Sequence, residues 1–250
     1  MPDVFLLAHQ DDEYGVFHAI AQSAATGRRP LCLYLTSGDF GGQDVARRNR
    51  ESRDVLAALG VAAADVHFIG QQAGISDGVL LDSLEPAYQA VLALLQSQGA
   101  VTALYVLAYE GGHQDHDAVY LIGCRLQKAL GIATAWQFSL YQGKGLPSPL
   151  FRVLAPLPEN GAVQAQAVPW TKRWWYLRLC LRYRSQLKTW VGLFPFVLLY
   201  YLRDGRQQLQ PLVAGRCRER PHAGPLLYEK RGVLAREVFE SRSKDFLDAL

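Results

Sequence analysis

Apolar residues in the first 142 positions come in two alternating rhythms. Short, mostly apolar segments lie at 4–8, 31–35, 66–69 and 101–107, with a further one inside 133–141. Runs of this length fit strands buried on both faces. The segments between them carry helical spacing: 14–26, closed by Gly27; 44–59, closed by Gly60; 84–97, with Leu84, Tyr88, Val91, Leu92 and Leu95 on one side; and 117–130. Glycine just past a periodic stretch is a helix stop. The alternation predicts an α/β fold, a Rossmann-like, mostly parallel sheet with helices on both faces. Such sheets place their sites in loops at the carboxyl ends of strands, which here are 8–13, 36–43, 70–78 and 108–116.

After Gln142 the rhythm changes. Residues 143–169 are rich in Pro and Gly and read as loop and edge strand, and 170–206 are aromatic, basic and helical in pattern. Residues 210–225 read as loop and 231–249 as a final helix. The expected organisation is a core at 1–142 and a helical, aromatic-rich C-terminal extension at 143–250 packed on it.

Composition narrows the class. With 250 residues, half of them apolar and a fifth charged, the chain is not a disordered one. A chain this long buries enough surface to fold without a disulfide or metal staple. Its cysteines, Cys32, Cys124, Cys180 and Cys217, form no CxxC pair. That argues against a disulfide framework or a thiolate zinc cluster and for a reducing compartment. The opening residues lack the basic segment of a signal peptide. The longest uncharged apolar run, 190–202, includes Gly192 and Pro195. It is shorter than the roughly 20 residues a membrane span needs. A cytoplasmic protein is expected, with peripheral contact at the inner face of the membrane as a variant of that reading.

The net charge of +3 hides an asymmetry: residues 172–206 hold eight Lys/Arg against one acid, Asp204. Basic and aromatic residues beside an apolar helix suit an anionic membrane surface. The plainer reading is a helical layer packed over the sheet with Arg side chains reaching to solvent. No nucleic-acid-binding module is present, so no nucleic-acid partner is expected. The sequence leaves the oligomeric state open.

Candidate chemistry concentrates in two of the four loops. One reads Ala8-His9-Gln10-Asp11-Asp12-Glu13, the other Glu110-Gly111-Gly112-His113-Gln114-Asp115-His116-Asp117. Imidazole and carboxylate suit zinc and other divalent first-row metals. His9 and Asp12 sit three apart at a strand-to-helix turn and can face one point, leaving Asp11 free to act as a base. His113 and His116 share a helix face; one can bind metal while the other stays beside it. Taken singly, such residues are more often caps or satisfied core groups. Two loops of matching composition at the same sheet edge favour a metal site.

At these residues the sequence resembles the PIG-L/LmbE-like family of zinc-dependent N-acetylglucosaminyl deacetylases. Residues 8–13 match that family's Ala-His-Pro-Asp-Asp-Glu motif with Gln10 for proline, and 113–116 match its His-Pro-Asp-His motif with Gln114 for proline. Thr36-Ser37-Gly38-Asp39 with Gly41-Gly42 is similar to its glycine loop, and Arg48, Glu51 and Leu59-Gly60 to its Arg-x-x-Glu helix ending in Leu-Gly. Tyr183-Arg184-Ser185-Gln186 is similar to a His-x-Ser-Gln element, with Tyr for His. The resemblance covers 4–142 well and the tail loosely. It implies His9, Asp12 and His116 as ligands of Zn²⁺ or another divalent ion, and Asp11 as general base. It implies a protonated His113 that stabilises an oxyanion, and Asp115 as a residue orienting a histidine ring. The implied reaction is removal of an N-acetyl group from an amino sugar or its conjugate, a lipid- or phosphate-linked sugar being one form of that substrate. A non-sugar amide, or ligand binding without catalysis, are the alternatives. Proline would stiffen each motif turn; glutamine there either loosens the site or adds a donor.

Arg48 is expected to meet a substrate phosphate, Asp77 to hydrogen-bond sugar hydroxyls, and Glu110 to line the pocket. Gly74-Ile75-Ser76-Asp77-Gly78 matches G-x-S-x-G, but strand three ends too early to form a nucleophile elbow. His18 and His67 fall inside a helix and a strand, and His222 in a Pro-Gly segment expected at the surface.

Overall fold

A computed structural model of the chain describes residues 1–42 and 44–250. Gln43, the last residue of the predicted loop 36–43, lies outside the described residues. The elements are β1 (Pro2–Leu7), α1 (Phe17–Ala25), β2 (Arg29–Tyr34), α2 (Val45–Ala58), β3 (Val66–Phe68), α3 (Ile69–Ala73), α4 (Leu84–Gln98), β4 (Ala103–Leu107) and α5 (Gln114–Leu130). There follow β5 (Ala135–Phe138), β6 (Tyr141–Gln142), β7 (Arg152–Val153), β8 (Gln164–Ala167), α6 (Trp170–Cys180), α7 (Leu187–Arg203), β9 (Arg206–Pro211), α8 (Leu227–Lys230) and α9 (Arg236–Asp248).

The main sheet has the order β3-β2-β1-β4-β5-β9-β8. Strands β1 to β5 are parallel, with Val4 beside Leu31 on one side and Leu104 on the other. β9 pairs antiparallel with β5, and β8 antiparallel with β9. Val4, Phe5, Leu6 and Leu7 of β1 are wholly buried, as strands covered on both faces require. Truncating one of these leucines to alanine should cost about 2–5 kcal/mol.

Two departures from the sequence reading have clear causes. Helix α5 starts at Gln114, not at 117, because the His113 side chain caps it by accepting from the Asp115 N–H at 3.1 Å. The second motif therefore sits in a helix's first turn. The extension is not only helical: β9 opens where the sequence reads as helix giving way to loop. Gln207, Gln208 and Gln210 there mask an apolar period, and tertiary pairing with β5 overrides it.

The strand order reverses at β1, whose neighbours are β2 and β4. The loops leaving β1 and β4 diverge there and open a crevice at the carboxyl edge of the sheet.

Candidate metal and catalytic site

Both histidine loops end at that crevice. After β1 the chain passes through His9, Gln10 and Asp11 into a 3-10 turn, Asp12–Gly15. Asp12 Oδ2 accepts from the backbone N–H groups of Ala8 (3.1 Å) and His9 (2.7 Å), which fixes the carboxylate. Its Oδ1 lies 3.3 Å from His116 Nε2, and Oδ2 lies 3.5 Å from His9 Nδ1. His9 donates from Nε2 to Asp115 Oδ2 at 2.9 Å. Asp115 also accepts from Gly78 N (2.6 Å) and Leu80 N (3.2 Å). Its carboxylate thus sets the His9 ring so that Nδ1 faces Asp12, the arrangement by which carboxylates orient metal-binding histidines.

His9, His113 and His116 each offer one ligand atom within 4.8 Å of one another. His116 is 1% exposed, yet neither ring nitrogen makes a hydrogen bond. An orphaned buried imidazole beside a buried carboxylate is costly without a partner. A divalent cation would satisfy both, and nitrogen and oxygen donors of this kind suit one. Burial alone would lower the basicity of His9, but the carboxylates of Asp77, Asp115 and Asp12 outweigh it and raise its pKa well above the usual value. Asp12, despite burial, is held well below the carboxylate range by His116 and His9. The negative potential that holds protons here also favours a cation. The chain can therefore hold a metal with His9, His116 and Asp12 as available donors.

Asp11 stands beside this cluster in a strained backbone, φ 110°. That conformation costs a non-glycine residue about 1–3 kcal/mol. Glu13 helps sustain it by accepting from the Asp11 N–H at 3.0 Å. Trp190 Nε1 donates to Asp11 Oδ2 at 3.2 Å, and Arg48 lies 3.9 Å from Oδ1. Burial pushes the Asp11 carboxyl up to about 8, against the opposing pull of Arg48. A carboxylate with a raised pKa in a cleft is suited to accept a proton near neutral pH.

His113 differs from its sequence-based reading. The Asp115 N–H donates to its Nδ1, so the ring proton sits on Nε2. Burial, reinforced by His9, depresses its pKa to about 3. The ring is a neutral donor, not a cation.

The substrate-binding expectations fare unevenly. Arg48 and Asp77 line the same cleft, of about 480 Å³, but their charges pair with each other at 2.9 Å. Arg48 also donates to Gly38 O and Gln10 O, and Asp77 accepts from Gly38 N. They brace the loops and are not free for phosphate or sugar. Glu110 does not line the cleft: it is buried, and its Oε1 accepts from Leu140 N (2.8 Å) and Tyr141 N (2.9 Å). Ser76 donates to Asp39 at 2.7 Å and occupies no elbow. His18 meets the Tyr176 hydroxyl, and His222 is buried against its own chain.

Gln10 resolves the question of the missing proline. Its Nε2 donates to Ser37 O (3.2 Å) and Asn49 Oδ1 (2.7 Å), tying the first motif to the loop after β2 and to α2. Gly38 is required opposite it, since a Cβ there would lie 2.3 Å from Gln10 Oε1. Gln114 lines the cleft with its Nε2 3.5 Å from Gly78 O.

Sequence reasoning missed Trp190, Glu13, Tyr141 and the rim of the cleft from the extension. Trp190 is 179 residues from Asp11, and nothing local marks it. Glu51 and Ser185 belong to separate sequence motifs; the structure joins them, with Ser185 N and Oγ donating to the Glu51 carboxylate at 3.1 and 2.6 Å. Tyr183 stacks on Trp190 with centroids 5.7 Å apart.

This geometry coincides with a sequence match. Residues 4–126 fit the PIG-L family described as GlcNAc-PI de-N-acetylase. The match takes in just under half of the chain and includes both histidine loops. The uncharacterized deacetylase YaiS of Escherichia coli K12 is 28% identical over 133 residues, covering 51% of this chain and 70% of YaiS. A deacetylase of the teicoplanin biosynthetic pathway superposes with a TM-score of 0.65 at 18% identity, over 85% of this chain and 98% of that one. The N,N'-diacetylchitobiose deacetylase of Pyrococcus horikoshii gives 0.59 at 16%, over 84% and 82%. At these identities the structural likenesses establish the α/β fold.

Proposed function

We propose that this PIG-L/LmbE-like protein is a divalent-metal-dependent N-deacetylase acting on an N-acetylated amino sugar or its conjugate. The observation that carries the reading is the orphaned His116 imidazole beside Asp12 and His9, with Asp11 at its edge. Structural neighbours add weight: a diacetylchitobiose deacetylase and a deacetylase of the teicoplanin pathway share the fold.

His9, Asp12 and His116 would hold the metal, with Asp115 orienting His9. Bound there, a divalent ion such as Zn²⁺ supplies Lewis acidity toward water and toward an amide carbonyl. Asp11 takes the proton from the attacking water. The same carboxyl, now protonated, returns it to the departing nitrogen as the C–N bond breaks, so the products are a free amine and acetate. General acid–base help of this sort is typically worth about 10²–10⁴-fold. His113 donates its Nε2–H to the oxygen that gains charge, where losing one donor typically costs about 10²–10³-fold. Arg48 and Trp190 hold Asp11 in place. A cleft of about 480 Å³ suits a ligand of one or two sugar rings.

The test is acetate release from N-acetylglucosamine, its short oligomers and its glycosides, after loading with Zn²⁺ and separately with other divalent ions. Release that depends on metal and fails in Asp11→Asn supports the reading. Release from simple N-acyl amides but not from any amino sugar, or none with any metal, overturns it.

A further inference from the structure

We infer that the exposed face of α6 and α7 docks on an anionic lipid surface. Of the sixteen large apolar side chains exposed among the described residues, eight lie within 170–202. They are ordered. On α7, Leu187, Val191 and Leu202 lie on one stripe with half-buried Phe194 and Leu198 between them, at spacings of four, three, four and four. A second stripe of the same helix, Trp190, Leu193, Val197 and Tyr201, is buried in the protein. Trp170 and Trp174 on α6 and Leu181 just past its end follow one helical line and are each more than half exposed. An exposed apolar stripe on a helix that already buries another is not needed for folding, and such surface marks an interaction site.

Charge selects the partner. Arg178, Arg182, Arg184, Lys188 and Arg203 are exposed, and among the described residues none of them makes an ion pair. Apolar anchors among unpaired cations, with tryptophans that suit the interfacial zone, fit an anionic bilayer surface. A second copy meeting the same face would set like charges against like. Nucleic acid would answer the cations but leave leucine and valine against water. Among the described residues no helix is long and apolar enough to cross a membrane, so the contact is peripheral.

The placement also bears on the cleft. Lys188, Thr189 and Leu193 of α7 line it, and Trp190 of the same helix reaches Asp11. Seating α7 on lipid brings the mouth of the cleft to the bilayer.

The test is sedimentation of the full chain with phosphatidylcholine vesicles, with and without about 30 mol% phosphatidylglycerol. Binding to the mixed vesicles alone, weakened by salt, is expected. Val191→Glu/Leu202→Glu should weaken it more than tenfold, and Arg178→Gln/Arg182→Gln/Arg203→Gln should do likewise, with circular dichroism unchanged. No sedimentation with mixed vesicles, or equal binding by wild type and both well-folded variants, overturns the inference. So does a dimer in light scattering that Val191→Glu/Leu202→Glu splits, which assigns the face to a second copy. No hydrolysis enters this experiment, so its failure leaves the proposed activity standing, and the reverse.

Discussion

The floor of the cleft and its rim are built by opposite means. The floor comes from two short segments, 8–13 and 110–117, at the ends of adjacent parallel strands. The carboxylates of Asp12 and Asp115 there are fixed, Asp12 by backbone N–H groups and Asp115 by His9, Gly78 and Leu80. The rim comes from 186–193 and from Tyr228, Arg231 and Val233, far along the chain. It touches the floor at few points, chiefly Trp190 on Asp11. The lesson is a division of labour: the floor fixes the chemistry, and the rim adjusts the base and shapes access.

Substitutions can break that division, and the largest effect belongs to the floor. Asp11→Asn keeps shape and metal donors but removes the base; turnover should fall about 10²–10⁴-fold with metal content unchanged. Asp115→Ala frees the His9 ring, and metal affinity should fall about 10–100-fold in competition with a chelator. On the rim, Trp190→Phe deletes one donor to Asp11 and keeps the ring; turnover should fall less than in either floor variant, with metal affinity intact. A metal loss in Trp190→Phe would erase the distinction.

The pH profile sharpens it further. Asp11 acts as a base, so activity rises as its carboxyl loses its proton. Arg48 lowers that pKa against burial. Arg48→Gln should therefore move the acid limb to higher pH, measured as kcat against pH.

The smallest effect is on stability. Burial raises the Glu110 carboxyl from 4.5 to about 8, so the folded state holds a proton the unfolded chain has lost. That contribution is complete below about 4.5 and vanishes as pH rises through about 8. Glu110→Gln keeps an acceptor for Leu140 and Tyr141 without the charge. Its Tm should decline less between pH 5 and 8 than that of wild type.

The floor was legible in the sequence because its residues are close together and strand-to-helix turns aim them predictably. His9 lies beside Asp12 and His113 beside His116 as their spacing suggests, while the contact of Asp115 with His9 follows the resemblance and not the spacing. The five parallel strands were legible as short, mostly apolar segments alternating with helical spacing. What escaped depends on contacts across the chain. Pairing with β5 makes a strand of Gln-rich β9, which has no strand pattern of its own. Arg48 and Asp77 read as substrate groups until the fold set them against each other. The charge state of His113 turned on its burial and on the neighbouring His9 ring, which only the fold brings together.

The central claim is a metal held by His9, Asp12 and His116 with Asp11 outside the ligand set. Elemental mass spectrometry on wild type, Asp12→Ala and Asp11→Asn tests it most directly. The account predicts about one divalent metal per chain in wild type and Asp11→Asn, and its loss in Asp12→Ala. No metal in wild type after incubation with zinc, or full retention in Asp12→Ala, would contradict it.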